Sequence, residues 1–357
     1  MAEAINSTNS FWETPIYTLA QSGTKIKPKL NKKEPKRVSG KGAELSNNKM
    51  LQNRAKRKMI TQTMILSLID VAKKKEDTDM VKYYWNTYYC LNKVYTSEGK
   101  LYGKYCKNRF CTLCLAIRKA DIINKYLPTI QKWEDPYFVT LTVKACSAKD
   151  LNKFVKGMFR AFNQIKEKQK KLNQRGKGIK LIGIKSLECN FNAEKKTYNP
   201  HFHIIVPNKE IAETLKKEWL LKWTSKFTIH KAQNIEKVDG IKRCLMEIIK
   251  YGSKIFTEPD ISKKSKQKVP PHIYTSALHN IFSAMKGYRI FDRFGFNLPK
   301  CNYEKPKATL LIQYEELIFD PKQADWLISE TNNRLTGFIP EKELISLLEN
   351  NIDLVLE

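Results

Sequence analysis

The feature that most constrains this chain is an apolar run that contains two histidines, Asn199-Pro200-His201-Phe202-His203-Ile204-Ile205-Val206-Pro207. Its β-branched and aromatic residues predict a β-strand. Alternate side chains of a strand share a face, so His201 and His203 lie together while Phe202 and Ile204 face a core. Two imidazoles on one face are typical of a metal site. The alternative is a pair of structural histidines.

A catalytic divalent cation needs an acidic ligand beside two imidazoles. Glu188, near the end of the preceding predicted strand, is the candidate. A ligand set of two nitrogens and one oxygen with open positions suits Mn²⁺ or Mg²⁺, and such an ion polarises a phosphate oxygen. The alternative for Glu188 is a solvated acid at a strand end.

A possible nucleophile follows in a predicted helix over residues 240–255. Glu247 and Tyr251 are four residues apart and therefore share a helical face, and Lys254 comes three residues later. A phenol is a weak nucleophile at its usual pKa, so it needs a metal-polarised phosphate or a nearby cation. Combined with the metal ligands, the pattern indicates DNA-strand cleavage; by itself it also fits an amphipathic helix with a surface tyrosine.

The cysteines suggest a second metal site. Cys106, Cys111 and Cys114 form a compact cluster, and Cys90 lies upstream. Four thiolates can close a tetrahedral structural Zn²⁺ site, and the alternative is a set of buried free thiols. In a reducing compartment, eight cysteines favour metal or free thiols over disulfides.

The charge balance points to a polyanionic partner. The 357 residues include 65 Lys and Arg against 36 Asp and Glu, a formal net charge of +29, and 11% are aromatic. Nucleic acid is the first candidate for such a partner. No run reaches the roughly 18 apolar residues of a membrane span, and the N-terminus lacks a secretory pattern. We therefore expect a cytoplasmic protein with no membrane partner.

The order of predicted elements defines the fold class. From residue 137 onward the pattern reads strand, helix, strand, strand, helix, strand, which predicts an α+β, ferredoxin-like βαββαβ core around a central antiparallel sheet. The His-x-His strand would be central. The predicted segments are a strand at 137–143, a helix at 151–165, strands at 181–189 and 201–206 joined by a polar connection at 190–199, a helix at 210–226 and a strand at 227–238.

Four consecutive regions are predicted. Residues 1–58 are rich in Lys and Arg and predict a disordered basic arm, either a DNA-binding or a solubilising one. Residues 59–130 combine a helix with the Cys-rich zinc module. Residues 131–300 form the catalytic domain, and 301–357 are an extension of unknown role.

Four segments, in this order, resemble the motifs of the rolling-circle plasmid replication initiators, the Rep proteins of the HUH endonuclease superfamily. The match is to the subgroup with one tyrosine and a helper glutamate. The segments are Cys106-x2-Arg109-x-Cys111-Thr112-x-Cys114, Phe138-Val139-Thr140-Leu141-Thr142, Pro200-His201-Phe202-His203 and Glu247-x3-Tyr251-x2-Lys254. The chain departs from the family motifs at two positions. Thr112 stands where the family has proline, and the residue after His201 is aromatic.

The resemblance implies a site-specific, metal-dependent nickase of a plasmid double-strand origin. Tyr251 would form a 5′-phosphotyrosine and release a free 3′-OH primer, Glu247 would assist later strand transfer or termination, and Lys254 would offset charge. Single-stranded DNA, a host helicase and a host DNA polymerase are the expected partners. The alternatives are a related HUH relaxase or transposase, and a zinc-containing DNA-binding regulator without enzymatic activity.

Overall fold

The structure is a computed structural model, and it describes residues 34–38, 42–250, 271–299, 309–342 and 344–345. It is a mixed α+β structure. The strands are β1 Lys36–Val38, β2 Ala43–Glu44, β3 Lys93–Ser97, β4 Lys100–Gly103, β5 Tyr137–Thr142, β6 Gly183–Asn192, β7 Thr197–Val206, β8 Asn234–Lys237, β9 Phe291–Phe294, β10 Thr309–Leu311, β11 Glu315–Asp320 and β12 Asp325–Ile328. The helices are α1 Asn48–Lys74, α2 Thr78–Tyr88, α3 Thr112–Ile130, α4 Ala148–Gln174, α5 Lys209–Lys222, α6 Ile241–Lys250 and α7 Pro271–Met285.

The His-x-His run lies in β7, at the centre of a five-stranded sheet that we call the histidine sheet. Its strand order is β8-β5-β7-β6-β9, and every neighbouring pair is antiparallel. The predicted order of strand, helix, strand, strand, helix, strand is confirmed by β5, α4, β6, β7, α5 and β8. The central position of the histidine strand is confirmed as well.

Both faces of the histidine sheet are covered, which explains why β7 is buried along most of its length. On one face Phe202 packs with Phe162 of α4 and Trp219 of α5. On the other face Ile205 belongs to a cluster with residues of α3 and α6, among them Ile130. Because alternate residues of a strand face opposite ways, the two histidines share the face that α3 and α6 cover.

The second sheet carries the cysteine region and has the order β12-β11-β3-β4-β2. It packs with α1 and α2 in a separate core that includes Cys90, Cys111 and Trp326. Helix α7 joins the two cores, because Leu278 belongs to the cysteine-side core and Ile281 to the core of the histidine sheet.

Several predicted boundaries differ from the structure. The polar connection predicted at 190–199 is mostly strand, because β6 and β7 stay paired as far as Asn192 and Thr197. The rings of Phe191 and Tyr198 pack across this extension, with centroids 5.0 Å apart. The strand predicted at 227–238 is shorter, since residues 230–232 form a 3₁₀ turn before β8.

The predicted basic arm overlaps ordered elements. Residues 1–33 lie outside the described part, but β1, β2 and the start of α1 fall within 34–58. Asn47 caps α1 by accepting a hydrogen bond from Met50 N at 3.0 Å, and Leu51 and Ala55 are buried. This part of the helix could not be predicted from composition, because its basic residues alternate with the few apolar residues that reach the core.

The C-terminal region is not a separate unit where the structure describes it. Strand β11 pairs with β3 of the cysteine region, and β10 pairs with β1. None of the described helices is long and apolar enough to cross a membrane.

Candidate metal centres

Glu188, His201 and His203 come together on the face of the histidine sheet that α3 and α6 cover. Glu188 is the cross-strand partner of His201 in the β6–β7 register. Its Oε2 lies 3.2 Å from Nε2 of His201 and 2.9 Å from Nε2 of His203. All three residues are buried, at 5%, 5% and 8% exposure. The structure therefore assembles the three residues that the sequence predicted, and their role as ligands stays a prediction.

The hydrogen bonding of His201 fits a cation at this point. Its Nδ1 lies 3.0 Å from the carbonyl oxygen of Asn199, which only accepts, so Nδ1 donates. In a neutral imidazole Nε2 then carries a lone pair, and it faces the carboxylate of Glu188, another acceptor. Two acceptors at this distance repel each other unless a proton or a cation lies between them. Metal-binding histidines commonly donate from the second nitrogen to a backbone carbonyl in this way.

Strand β5 orients the second histidine. Thr140 is the cross-strand partner of His203, and its Oγ1 lies 3.3 Å from Nδ1 of the imidazole. The ring of Phe138 lies beside the same imidazole, with centroids 5.2 Å apart. The sequence pattern placed a strand here but did not identify Thr140 as a contact, because that contact depends on strand register.

The carboxyl group of Glu188 favours its ionised form. Burial alone would raise its pKa, but hydrogen bonds from His201 and His203, together with the charge these rings carry when protonated, outweigh burial and lower the pKa below its usual value. An ionised carboxylate is the form that binds a divalent cation. Two nitrogens and one such oxygen fit Mn²⁺ or Mg²⁺ in the way the sequence predicts.

Helix α6 packs over this face through Leu245 and Ile248, which are fully buried. Glu247 belongs to α6. Its side chain, together with Tyr251 and Lys254, lies outside the described residues. The roles predicted for these three residues remain predictions.

The four predicted zinc ligands also come together. Cys90, Cys106, Cys111 and Cys114 place their sulfur atoms within 4.8 Å of one another, and all are free thiols. Sγ of Cys114 lies 3.6 Å from that of Cys90 and 3.5 Å from that of Cys106. Tetrahedral Zn²⁺ with Zn–S bonds of about 2.3 Å requires sulfur atoms about 3.8 Å apart. The cluster therefore fits Zn²⁺.

Backbone amides donate to the sulfur atoms, and a buried lysine lies near them. Lys107 N donates to Sγ of Cys114 at 3.2 Å, and Asn108 N donates to Sγ of Cys106 at 3.4 Å. Lys58 is fully buried nearby, and burial lowers its pKa to about 7 against the opposing effect of the cysteine thiolates. Lys58 falls within the predicted basic arm, and its burial could not be predicted because nothing in its local pattern signals it.

Arg109 connects the cysteine loop to the segment between α7 and β9. It lies in the loop between Cys106 and Cys111, and its guanidinium donates to the carbonyl oxygens of Met285, at 3.3 Å, and Tyr288. These carbonyls lie at the end of α7 and just before β9, and β9 pairs with the strand that carries Glu188. Arg109 could be predicted only as part of a motif, since its partners are about 180 residues away.

Comparison with known proteins identifies a family that covers most of these candidate ligands. The sequence profile of the Replication protein family matches residues 100–293, which include six of the seven predicted metal ligands. No solved structure matches the chain.

Curated relatives carry the name Protein rep. One from Staphylococcus aureus is 30% identical over 176 residues, covering 44% of this chain and 73% of that protein. One from Streptococcus pneumoniae serotype 2 is 24% identical over 174 residues, covering 43% of this chain and 52% of that protein. One from a Bacillus species is 29% identical over 118 residues, covering 31% of this chain and 37% of that protein. The chain thus spans between about a third and three quarters of these relatives, and on the family match it belongs to the Replication protein family.

Proposed function

We propose that the protein initiates rolling-circle replication of a plasmid by nicking one strand at the double-strand origin. The observation that carries this proposal is the buried trio of Glu188, His201 and His203, because its donor set suits a divalent cation that acts on phosphate. The family match and the net charge of +29 support a DNA substrate.

The topology supports an HUH endonuclease core. In sequence order, the strands of the βαββαβ unit occupy positions 4-1-3-2 across the sheet, the order of a ferredoxin-like fold, with β9 added at the edge. The histidine pair lies on the central strand, and the helix that carries Glu247 covers the same face. This arrangement is the one that the resemblance to Rep initiators leads us to expect.

In the proposed reaction, Tyr251 is the nucleophile. Its phenol oxygen attacks phosphorus, a P–O bond to tyrosine forms, and the P–O bond to the 3′ oxygen breaks. The phenol loses its proton and the departing oxygen gains one, so the products are a 5′-phosphotyrosine and a free 3′-OH. A bound Mn²⁺ or Mg²⁺ would polarise the phosphate and stabilise the charge that develops on it.

Other residues have supporting roles in this proposal. Glu247 activates water, or assists a second strand transfer, when the product is released. Lys254 offsets negative charge on the phosphate. The four cysteines would hold Zn²⁺, which would stabilise the loop that carries Arg109. The partners we propose are origin DNA, single-stranded DNA, and a host helicase and polymerase in the bacterial cytoplasm.

The test is incubation of the protein with a supercoiled plasmid that carries its own origin, with and without Mn²⁺ or Mg²⁺. We expect relaxation to the open circle only with metal, and no relaxation by the variants His201→Ala and His203→Ala. Binding of origin DNA without any nick would favour the zinc-containing DNA-binding regulator instead.

A further inference from the structure

A cavity of about 470 Å³ lies beside the candidate metal centre, between α3, α6 and the edge of the histidine sheet. Its volume is in the range of small-molecule sites, which is about 300–1,000 Å³. Ser186, which lines it, is the cross-strand partner of His203. Because Ser186 and Glu188 are two residues apart on β6, they share a face, so the cavity opens onto the face that carries the metal trio.

The cavity combines an apolar floor with a cationic rim. Hydrophobic side chains of α3, α6 and β9 form the floor, among them Ile122, Tyr126 and Phe291. The rim carries four cationic side chains against a single carboxylate; they are Arg109, Arg118, Lys125 and Arg289, with Asp121. Arg289 is already paired, with Asp292 at 3.3 Å.

Arg109 and Arg118 are positioned for an anion. Backbone carbonyls hold both: Arg109 donates to Met285 and Tyr288, and Arg118 donates to Lys107 O at 2.7 Å. Each guanidinium has five N–H donors, so both keep free ones. In the part of the chain that the structure describes, neither forms an ion pair.

The two guanidinium groups line the same cavity. A phosphate between them could accept hydrogen bonds from both, because guanidinium geometry matches phosphate oxygens.

We propose that this cavity binds one nucleotide of single-stranded DNA next to the scissile phosphate. A backbone phosphate lies between Arg109 and Arg118, and the base lies on the apolar floor against Tyr126 and Phe291. The inference rests on the proposed nicking function, since it supplies a subsite for that substrate. It also gives the cysteine module a role in DNA binding, because Arg109 belongs to its loop.

The test measures binding without cleavage. Fluorescein-labelled dT12 and a fully abasic 12-mer, which keeps the phosphates and lacks the bases, are titrated with the full chain in metal-free buffer over a range of salt. At each salt concentration, anisotropy gives two affinities for the variant, one for each oligomer, and two for its control. Because no nick is needed, the result does not depend on Tyr251 or on the divalent metal.

We expect Arg118→Ala to weaken binding of both oligomers about tenfold and to lower the slope of log K against log salt by about 0.7, the loss of one phosphate contact. Arg160→Ala is the matched control, because Arg160 is exposed on α4, over the opposite face. Ile122→Trp fills the cavity and keeps its charges. It should lower the preference for dT12 over the abasic oligomer by about five- to 150-fold, the contribution of stacking one base.

Three results would overturn the proposal: no binding of dT12 by the wild type, equal losses for Arg118→Ala and Arg160→Ala, or an unchanged base preference in a folded Ile122→Trp variant. If Ile122→Trp does not fold, the DNA affinity of Arg118→Ala alone decides whether the proposal stands. If binding behaves as expected but the plasmid is never nicked, the nucleotide site stands and the nicking function fails. If nicking occurs while Arg118→Ala binds DNA normally, the nicking function stands and the nucleotide site fails.

Discussion

Replacing Glu188 with glutamine tests whether the buried trio binds metal. The substitution keeps the size of the side chain and one acceptor oxygen but removes the negative charge. Among the three grouped residues Glu188 is the only carboxylate, and all are less than 10% exposed. A divalent cation would then face only neutral ligands in a site with little water, and burial of uncompensated charge is costly.

The size of the effect follows from the position of Glu188. Loss of a side chain that hydrogen-bonds to a metal ligand, and does not itself bind the metal, commonly weakens metal affinity 10- to 100-fold. Because Oε2 of Glu188 contacts both imidazoles directly, we expect a loss of at least about 100-fold for Mn²⁺, or about 2.7 kcal/mol. The metal-free protein should change in stability by only about 1 kcal/mol, since the amide can still donate to one imidazole.

The assay is titration of Mn²⁺ followed by electron paramagnetic resonance, with thermal unfolding of the metal-free protein as a check on the fold. Glu194→Gln is the matched control, because Glu194 is exposed at the β6–β7 turn. If Glu188→Gln bound Mn²⁺ as tightly as Glu194→Gln does, the trio would be a structural cluster and the reasoning would fail.

Three further predictions concern the rest of the fold. Cys114→Ser should lose Zn²⁺ measured by elemental analysis, whereas Cys146→Ser, at a buried thiol outside the cluster, should retain it. Phe202→Ala should reduce the free energy of unfolding by about 3–5 kcal/mol in urea titrations, because Phe202 is fully buried. Burial lowers the pKa of Lys185 from 10.5 to about 8. Between pH 8 and 10.5 the unfolded chain therefore binds more protons than the folded one, so the stability of the folded state rises with pH across that window. Lys185→Met should therefore stabilise the protein at pH 7 by up to about 3 kcal/mol, and the gain should shrink by pH 10. An equal gain at both pH values would show that burial of the charged amine is not the cause.

Much of the candidate centre could be predicted because strand geometry is regular. Residues two apart on one strand must share a face, so His201 and His203 could be paired without a structure. Glu188 was placed beside them because it lies near the end of the adjacent strand. The exact pairing of Glu188 with His201 could not be predicted, since it depends on the length of the β6–β7 turn.

Contacts between distant segments could not be predicted. The partners of Arg109 at Met285 and Tyr288 follow from how α7 packs, and no local pattern encodes that packing. The pairing of β11 with β3 could not be predicted for the same reason, since the two strands are far apart in the sequence. The N-terminal part of α1 was missed because its basic composition outweighed a sparse apolar pattern.

The identity of the residue that becomes linked to DNA decides whether Tyr251 is the nucleophile. The protein is incubated with labelled origin plasmid and Mn²⁺, digested, and analysed by mass spectrometry, with Tyr251→Phe in parallel. We expect a 5′-phosphate adduct on Tyr251 that is absent without metal and absent from Tyr251→Phe. A covalent adduct of unchanged yield in Tyr251→Phe would contradict the assignment of the nucleophile.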